Sequence, residues 1–286
     1  FICKKRHIYS NKTNELISSG LMNSARFVVE MLNENGIESK LVDVVDNNGI
    51  DKEVSKYKPT HVIIEALWVI PEKFKVLQKL HPNVKWIIRL HSEIPFLANE
   101  GIAMEWLYEY EKYKNVSIGV NSERALHDLN VALDKKILYM PNYYPLDKNS
   151  DDCDTKKSKG RIDIGCFGAI RPMKNQLAQA IAAIEFGNSI KKKINFHING
   201  TRVEKGDSVL KNIESLFANN PKHKLIKHEW MNHQDFTDLV SKMDIGMQVS
   251  FSETFNIVTA DFVSNNIPVV VSPEISWIAK IFRVSP

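Results

Sequence analysis

Two carboxylates, Glu253 and Asp261, stand eight positions apart where a predicted strand gives way to a predicted helix. The strand covers residues 244–249, and the helix begins near Asn256. The first backbone N–H groups of a helix have no partner within it, so they favour an anion such as a phosphate. A carboxylate two turns along the helix can reach a neighbouring hydroxyl. The segment therefore predicts a site for a phosphorylated ligand that carries hydroxyl groups.

Two cations, Arg171 and Lys174, follow another predicted strand and precede a helix. Gly168 lets the backbone turn sharply after that strand. Fixed positive charge beside free helix amides suits a diphosphate, above all one that gains negative charge as it leaves. Alone, the two side chains fit solvated surface cations equally well. Together with the Glu253 segment they favour a diphosphate site.

Two further strand ends carry residues that can act on a substrate. His91 ends a strand that reads Arg89-Leu90-His91, and imidazole titrates near neutral pH, so it can bond a hydroxyl or orient a substrate. Trp230 and Met231 end another strand, where the indole can pack against a flat ligand ring. The alternatives are a structural histidine and an ordinary buried tryptophan.

The elements that must position these residues alternate regularly between strand and helix. Strands are predicted at residues 2–9, 41–45, 61–67, 86–90, 116–120, 137–140, 162–167, 194–198, 225–230, 244–249 and 268–271. Helices are predicted at residues 21–33, from 71, 104–112, from 123, 176–186, 209–217, 236–243, from 256 and 275–281. Such alternation predicts parallel sheets with helices on both faces, and ligands bind at the carboxyl ends of such strands.

The alternation stops once, at a polar and charged stretch. We therefore predict a first doubly wound domain at residues 1–145, a linker at 146–160 and a second doubly wound domain at 161–286, which is cut short at its end. A length of 286 residues accommodates two domains, and 43% hydrophobic with 25% charged residues indicates a globular protein. A formal net charge of +4 does not indicate a nucleic-acid partner.

Several other classes of site are disfavoured. The cysteines Cys3, Cys153 and Cys166 are scattered, which favours reduced cytosolic thiols over disulfides or zinc, and we expect a cytoplasmic protein. No apolar run approaches the length of a membrane span, and no signal peptide is visible. The acidic residues 151–154 lie in the predicted linker and are interpreted as a solvated tract, not a metal site. The lysines 191–193 are interpreted as a solvated turn, although they leave a peripheral contact with an anionic membrane open.

The segment Ser252-Glu253-Thr254-Phe255-Asn256 through Asp261 resembles the E-x7-E signature of retaining glycosyltransferases of the GT-B fold, the glycogen-synthase-like group. Asp261 replaces the second Glu of that signature. Arg171 and Lys174 resemble the R-x-x-K element of the same family, and residues 140–142 resemble its Pro-Asn-Gly turn. The resemblance implies two Rossmann-like domains whose parallel sheets face each other across a cleft.

The resemblance also implies roles. Arg171, Lys174 and the amides of Thr254, Phe255 and Asn256 would hold the donor diphosphate, with Gly20 approaching it from the first domain. Glu253 would contact hydroxyls of the donor sugar, and His91 would face the reaction centre. The nucleoside would be contacted by Trp230, Met231 and Asp261.

The resemblance implies transfer of a sugar from a nucleotide diphosphate sugar to an acceptor hydroxyl with retention of configuration, without a metal or other cofactor. A catalytically inactive GT-B binding module and a nucleotide-sugar epimerase of similar fold remain alternatives. The acceptor is open: a glycan, a lipid-linked sugar, a protein, a small molecule or a modified DNA base.

Overall fold

The computed structural model describes residues 1–5, 19–145 and 160–282. The chain divides into two compact units, and the described residues fall into them as 1–5 with 19–145, and 160–282. Each unit has its own parallel β-sheet. Of the predicted linker only Gly160 is described, and the acidic tract at 151–154 lies outside the described residues.

The first unit contains a six-stranded sheet in the order β2-β1-β3-β4-β5-β6, with every neighbouring pair parallel. Its strands are β1 (Ile2–Lys4), β2 (Val42–Val44), β3 (His61–Glu65), β4 (Lys85–Leu90), β5 (Val116–Val120) and β6 (Leu138–Tyr139). Its helices are α1 (Gly20–Glu34), α2 (Gly49–Tyr57), α3 (Lys73–Leu80), α4 (Ile94–Leu97), α5 (Ala103–Glu111) and α6 (Glu123–Ala132).

The core of the first unit is built from apolar side chains of its strands and of the helices that cover them. Trp86 and Ile88 on β4 are fully buried, and they belong to one cluster with Phe74 of α3 and Leu107 of α5. Strands of a parallel sheet are covered by helices, which is why the middle of β4, residues 86–88, is apolar. Ser122 caps α6 by accepting a hydrogen bond from the Ala125 amide at 3.1 Å.

The second unit contains a five-stranded parallel sheet in the order β11-β10-β7-β8-β9. Its strands are β7 (Arg161–Gly165), β8 (Lys193–Asn199), β9 (Lys224–His228), β10 (Ile245–Gln248) and β11 (Val269–Val271). Its helices are α7 (Gln176–Ser189), α8 (Asp207–Ala218), α9 (His233–Val240), α10 (Ile257–Ser264) and α11 (Ser276–Ile281), and a 3₁₀ turn spans Pro172–Lys174.

Two apolar clusters pack on the second sheet. One joins Ile164 of β7 and Phe196 of β8 to α7 and α8, and the other joins Phe167 to Phe262 of α10. The fold class predicted from the sequence, α/β with two doubly wound parallel sheets, is confirmed. The sequence reading missed α2 and the short α4, and it placed the start of α3 at residue 71 instead of Lys73.

The order of the second sheet creates a switch point. From β7 the chain moves outward through β8 and β9, then returns to the other side of β7 with β10 and β11. The loops that follow β7 and β10 therefore leave neighbouring strands in opposite directions and open a crevice at their carboxyl ends, where α/β proteins bind ligands.

Candidate functional site

The loops after β7 and β10 meet at this switch point. The Phe251 amide donates to the Met173 carbonyl at 2.9 Å, and Asn175 Nδ2 donates to the Val249 carbonyl at 3.2 Å. Between them Lys174 Nζ forms an ion pair with Glu253 Oε1, with side chains only 18% and 11% exposed. The structure thus brings together a cation and a carboxylate that the sequence predicted for one site.

Arg171 is engaged by a carboxylate that the sequence reading missed. Its guanidinium forms an ion pair with Glu204, on the loop that follows β8. Arg202 binds the same carboxylate at 2.7 Å, and its guanidinium carbon lies 4.4 Å from the centre of the Trp230 ring. Burial acts to raise the pKa of Glu204, but the two arginines outweigh it and hold that pKa below its usual range.

The helix α10 begins just after Asn256, which caps it. Asn256 adopts a left-handed backbone conformation with φ of 55°, which Asn tolerates better than most residues. Its Oδ1 accepts from the Thr259 amide at 3.0 Å, and its Nδ2 donates to Gln248 Oε1 at 3.0 Å. Thr254 and Phe255 are partly exposed just before the helix, and the Phe255 ring stacks on Trp277 with centroids 5.3 Å apart.

The three residues predicted to contact the nucleoside differ in their exposure. Trp230 and Met231 follow β9 and are partly exposed, with the Trp230 amide donating to Thr201 Oγ1 at 2.9 Å. Asp261 is 1% exposed, and its Oδ1 lies 2.8 Å from His233 Nε2 of α9. Because the Asp261 side chain is only 2% exposed, a ribose could contact this carboxylate only after local movement of the surrounding chain.

In the first unit, His91 is part of a buried ionic network. Glu65 and Arg89 face each other in the β3–β4 ladder, are 0% and 1% exposed, and pair at 3.1 Å. His91 Nε2 contacts the second oxygen of the same Glu65 carboxylate. Burial acts to raise the pKa of Glu65, but His91 and Arg89 outweigh it, so the pKa is lowered and the carboxylate stays ionised.

The same network holds the residues after β6. Arg89 donates to the carbonyls of Met140 and Pro141 at 3.1 and 3.0 Å and to Asn142 Oδ1 at 2.8 Å. Asn121 Nδ2 lies 3.2 Å from that Asn142 oxygen and 3.3 Å from His91 Nδ1. Since an amide nitrogen can only donate, His91 Nδ1 accepts, and the Nε2 proton points to Glu65.

Gly20 is the first residue of α1, not a loop residue before it. Ser19 precedes it as the helix cap and accepts from the Met22 amide at 3.3 Å. Residues 6–18, which would complete the predicted glycine loop, lie outside the described residues. Gly20 and His91 belong to the first unit, and all other predicted site residues belong to the second.

A second network missed by the sequence reading crosses three strands of the second sheet. Asp163 Oδ1 lies 3.0 Å from His197 Nε2, and His197 Nδ1 lies 2.8 Å from His228 Nε2. Burial, with a smaller contribution from His197, lowers the pKa of His228 to about 4. The sequence offered only a weak signal for this network, because each of the three strands carries other polar side chains as well.

A cavity of about 670 Å³ also opens in the first unit, between α1 and the sheet. Val28 and Met31 of α1 line it together with Ile63 and Arg89. None of the predicted site residues lines it.

Across residues 1–5, 19–145 and 160–282, no cluster of three or more His, Cys, Asp or Glu side chains is placed to hold a metal ion. No helix among these residues is both long and apolar enough to span a membrane. Cys3 and Cys166 are buried free thiols, and burial raises the pKa of Cys166 to about 12.

No known protein family matches the sequence, and no curated protein does. Solved structures do match the fold. A mutant of S. aureus TarM, in complex with Fondaparinux, alpha-GlcNAc-glycerol and UDP, is 14% identical with a TM-score of 0.55, over 78% of this chain and 45% of TarM.

HepE from Anabaena, in complex with UDP and glucose, is 12% identical with a TM-score of 0.58, over 94% of this chain and 80% of HepE. The N-terminal domain of a Candida albicans trehalose-6-phosphate phosphatase is 9% identical with a TM-score of 0.64, over 97% of this chain and 83% of that domain. This chain thus spans less than half of TarM and most of the other two. TarM and HepE are among the neighbours that are GT-B glycosyltransferases, and at these identities the likeness establishes the fold alone.

Proposed function

We propose that this chain is a retaining GT-B glycosyltransferase that transfers a hexosyl or pentosyl group from a nucleotide diphosphate sugar to an acceptor hydroxyl. One observation carries the proposal: the Lys174–Glu253 pair joins the loops after β7 and β10 at the switch point of the second sheet. A cation for the leaving diphosphate and a carboxylate for the sugar hydroxyls are thereby held side by side. The neighbours solved with UDP support the same assignment.

In the proposed reaction, Arg171 and Lys174 hold the diphosphate while the bond between its oxygen and the anomeric carbon breaks. The acceptor oxygen forms its bond to that carbon on the same face, and its proton passes to the departing phosphate oxygen. The two cations stabilise negative charge that grows in the transition state, so they lower the barrier more than they strengthen substrate binding. Glu253 orients the sugar, which lowers the entropic cost of reaching the reactive geometry.

In the first unit, His91 is proposed to face the sugar or the acceptor. Its Nε2 proton is committed to the buried Glu65, which fixes the orientation of the ring. Glu65 is held ionised by Arg89. His91 Nδ1, which accepts from Asn121 Nδ2 at 3.3 Å, would have to exchange that long bond for a substrate hydroxyl before it could position the hydroxyl or take its proton transiently.

A catalytically inactive binding module is the second candidate, and one observation favours it. Both cations of the proposed diphosphate site are already paired with carboxylates, Arg171 with Glu204 and Lys174 with Glu253. A donor must therefore compete with these internal anions. An inactive module would still bind a ligand but would not turn it over.

The experiment that tests the proposal is a thermal-shift series of the purified protein with UDP-, GDP-, ADP- and CMP-sugars. A ligand that binds the folded state raises the unfolding midpoint, so selective stabilisation by one donor would identify the base. Release of the free nucleotide from that donor in the presence of acceptor mixtures would then separate the enzyme from the inactive module. Absence of any shift across the series would refute the donor site.

A further inference from the structure

The loops after β7 and β8 are joined into one rigid piece of backbone. The Ile170 amide donates to the Arg202 carbonyl at 2.8 Å, and the Glu204 amide donates to the Ile170 carbonyl at 2.9 Å. Ile170 and Val203 form a parallel β-bridge between these bonds. Arg171 and the pair Arg202–Glu204 are therefore held at a fixed spacing by main-chain contacts, not by their side chains alone.

The chain just after Glu204 allows few alternative paths. Lys205 is in the left-handed region with φ of 55°, and a Cβ on Gly206 would lie 2.3 Å from the Ile170 carbonyl oxygen. A side chain at position 206 would therefore collide with the loop that carries Arg171. A non-glycine residue held with positive φ costs free energy, and such residues are retained where the surroundings fix them.

Glu204 lies between two arginines with different tasks. One carboxylate oxygen pairs with Arg171, and the other binds Arg202 at 2.7 Å, while Arg202 lies 4.4 Å from the centre of the Trp230 ring. The Arg202 side chain is only 13% exposed. A chain of successive side-chain contacts thus runs from the proposed nucleobase side to the proposed diphosphate side, through Trp230, Arg202, Glu204 and Arg171.

We propose that Glu204 is a positioning residue that makes this site select nucleoside diphosphates over bare diphosphate. The inference deepens the proposed function and rests on it. Glu204 holds the Arg202 guanidinium over the Trp230 ring, so the surface offered to a nucleobase is formed before the ligand arrives. It also reduces the summed charge of the two arginines from +2 to +1, which weakens the attraction for any polyanion that lacks a base.

The test compares affinities for UDP, GDP and ADP with the affinity for inorganic pyrophosphate, measured by calorimetry on the whole chain. In Glu204→Gln we expect the affinity for pyrophosphate to rise. The affinity for the preferred nucleoside diphosphate should rise by a smaller factor. The ratio of the two dissociation constants should fall about tenfold, the value of one charge-assisted hydrogen bond. Arg202→Lys keeps the charge but loses the guanidinium over the Trp230 ring and the forked bond to Glu204. We expect the ratio of the two dissociation constants to fall in this variant while the affinity for pyrophosphate stays the same.

Glu214→Gln is the matched control, because it neutralises a carboxylate of the same unit that pairs with Lys227 on the surface, with side chains 42% and 51% exposed. Its ratio should equal that of the wild type. Unchanged ratios in both Glu204→Gln and Arg202→Lys, with a wild type that binds nucleotide, would overturn the positioning role and leave the proposed function intact. A wild type that binds no nucleoside diphosphate would overturn both. Arg202→Lys keeps the test decisive if Glu204→Gln fails to fold.

Discussion

Lys174 and Glu253, 79 positions apart in the chain, form an ion pair that joins the two loops of the switch point in the second sheet. Because both side chains are largely buried, solvent screens this pair less than it screens a surface pair. The ligand-free site is thus neutralised from within at this point. A diphosphate that binds there must draw Lys174 away from Glu253 or share it.

Glu253→Gln should distinguish the proposed binding of phosphate by Lys174 from the proposed binding of the sugar by Glu253. The variant frees the Lys174 ammonium for phosphate, so we expect affinity for the nucleoside diphosphate to stay the same or rise. The preference for the sugar-bearing donor over the nucleoside diphosphate should fall about tenfold, because one charged hydrogen bond to the sugar is weakened. Calorimetric titration with both ligands gives the two values.

Glu185→Gln, which neutralises an exposed carboxylate on α7, serves as the control and should change neither affinity. Equal weakening of both ligands in Glu253→Gln would contradict the placement of Glu253 against the sugar.

The double variant Arg171→Ala with Lys174→Ala should abolish measurable binding of the nucleotide sugar. Each cation is expected to contribute a charge-assisted bond to the diphosphate of about 1.5–3 kcal/mol, so the combined loss exceeds a hundredfold in affinity. The matched control replaces the exposed Lys191 and Lys192 by Ala, which removes the same total charge from the same unit. Unchanged thermal stabilisation by the donor in the Arg171 and Lys174 variant would reject the diphosphate assignment.

His91→Ala should lose turnover while it retains donor binding. His91, which we propose to act at the reaction centre, belongs to the first unit, whereas the proposed diphosphate contacts belong to the second. We expect kcat to fall by about two orders of magnitude, the usual contribution of a positioned acid–base group. His127→Ala, at an exposed position on α6, controls for loss of a histidine. Full activity in His91→Ala would show that the histidine is structural.

The sequence predicted the fold because both sheets depend on local patterns. Apolar strands, helix periodicity and caps such as Ser122 are encoded within a few neighbouring residues. It also indicated Arg171, Lys174 and Glu253, because their types and their places at strand ends are visible without the structure. The helix α2 was missed since only Ile50 and Val54 of its nine residues are buried, so its apolar pattern is short.

The partners across strands were not predictable in the same way. Glu65 faces Arg89 because β3 and β4 pair in a register that places these two residues opposite each other. That register cannot be derived from the sequence of either strand alone. Glu204 reaches Arg171 because a bridge at Ile170 joins two loops. The burial of Asp261 against His233 likewise depends on how α9 packs on α10, so the predicted ribose contact stays a prediction.

Arg89→Met should strongly destabilise the first unit. It leaves the fully buried Glu65 without its arginine partner, in contact with His91, and it removes the donors for the Met140 and Pro141 carbonyls. Breaking a buried pair from one side costs about 3–5 kcal/mol. Adding Glu65→Gln should recover part of that loss. Scanning calorimetry of the single and double variants measures the coupling.

Arg26→Met is the surface comparison for that cycle. Arg26 pairs with Glu30 at 3.8 Å, with side chains 43% and 55% exposed, so its removal should cost about 1 kcal/mol or less. Equal effects of Arg89→Met and Arg26→Met on the unfolding midpoint would rule out a structural role for the buried network.

The histidine network of the second sheet predicts a pH dependence of stability with a definite sign. The pKa of His228 is lowered to about 4 in the folded chain, below its ordinary value of 6.5, and that of His197 is lowered as well. Between these limits the unfolded chain binds protons that the folded chain does not. Stability is therefore at its plateau above pH 6.5 and falls as the pH drops toward 4.

His228→Gln should flatten part of this dependence. Glutamine keeps an N–H that can donate to His197 Nδ1 but does not titrate, whereas Asp163, Arg161 and His197 remain in place around it. Thermal unfolding followed by circular dichroism between pH 4.5 and 7.5 should show a smaller fall of the midpoint for His228→Gln than for the wild type or for the exposed control His127→Gln. Parallel curves for all three proteins would mean that His228 is protonated in the folded state as readily as in the unfolded chain, which its burial against His197 opposes.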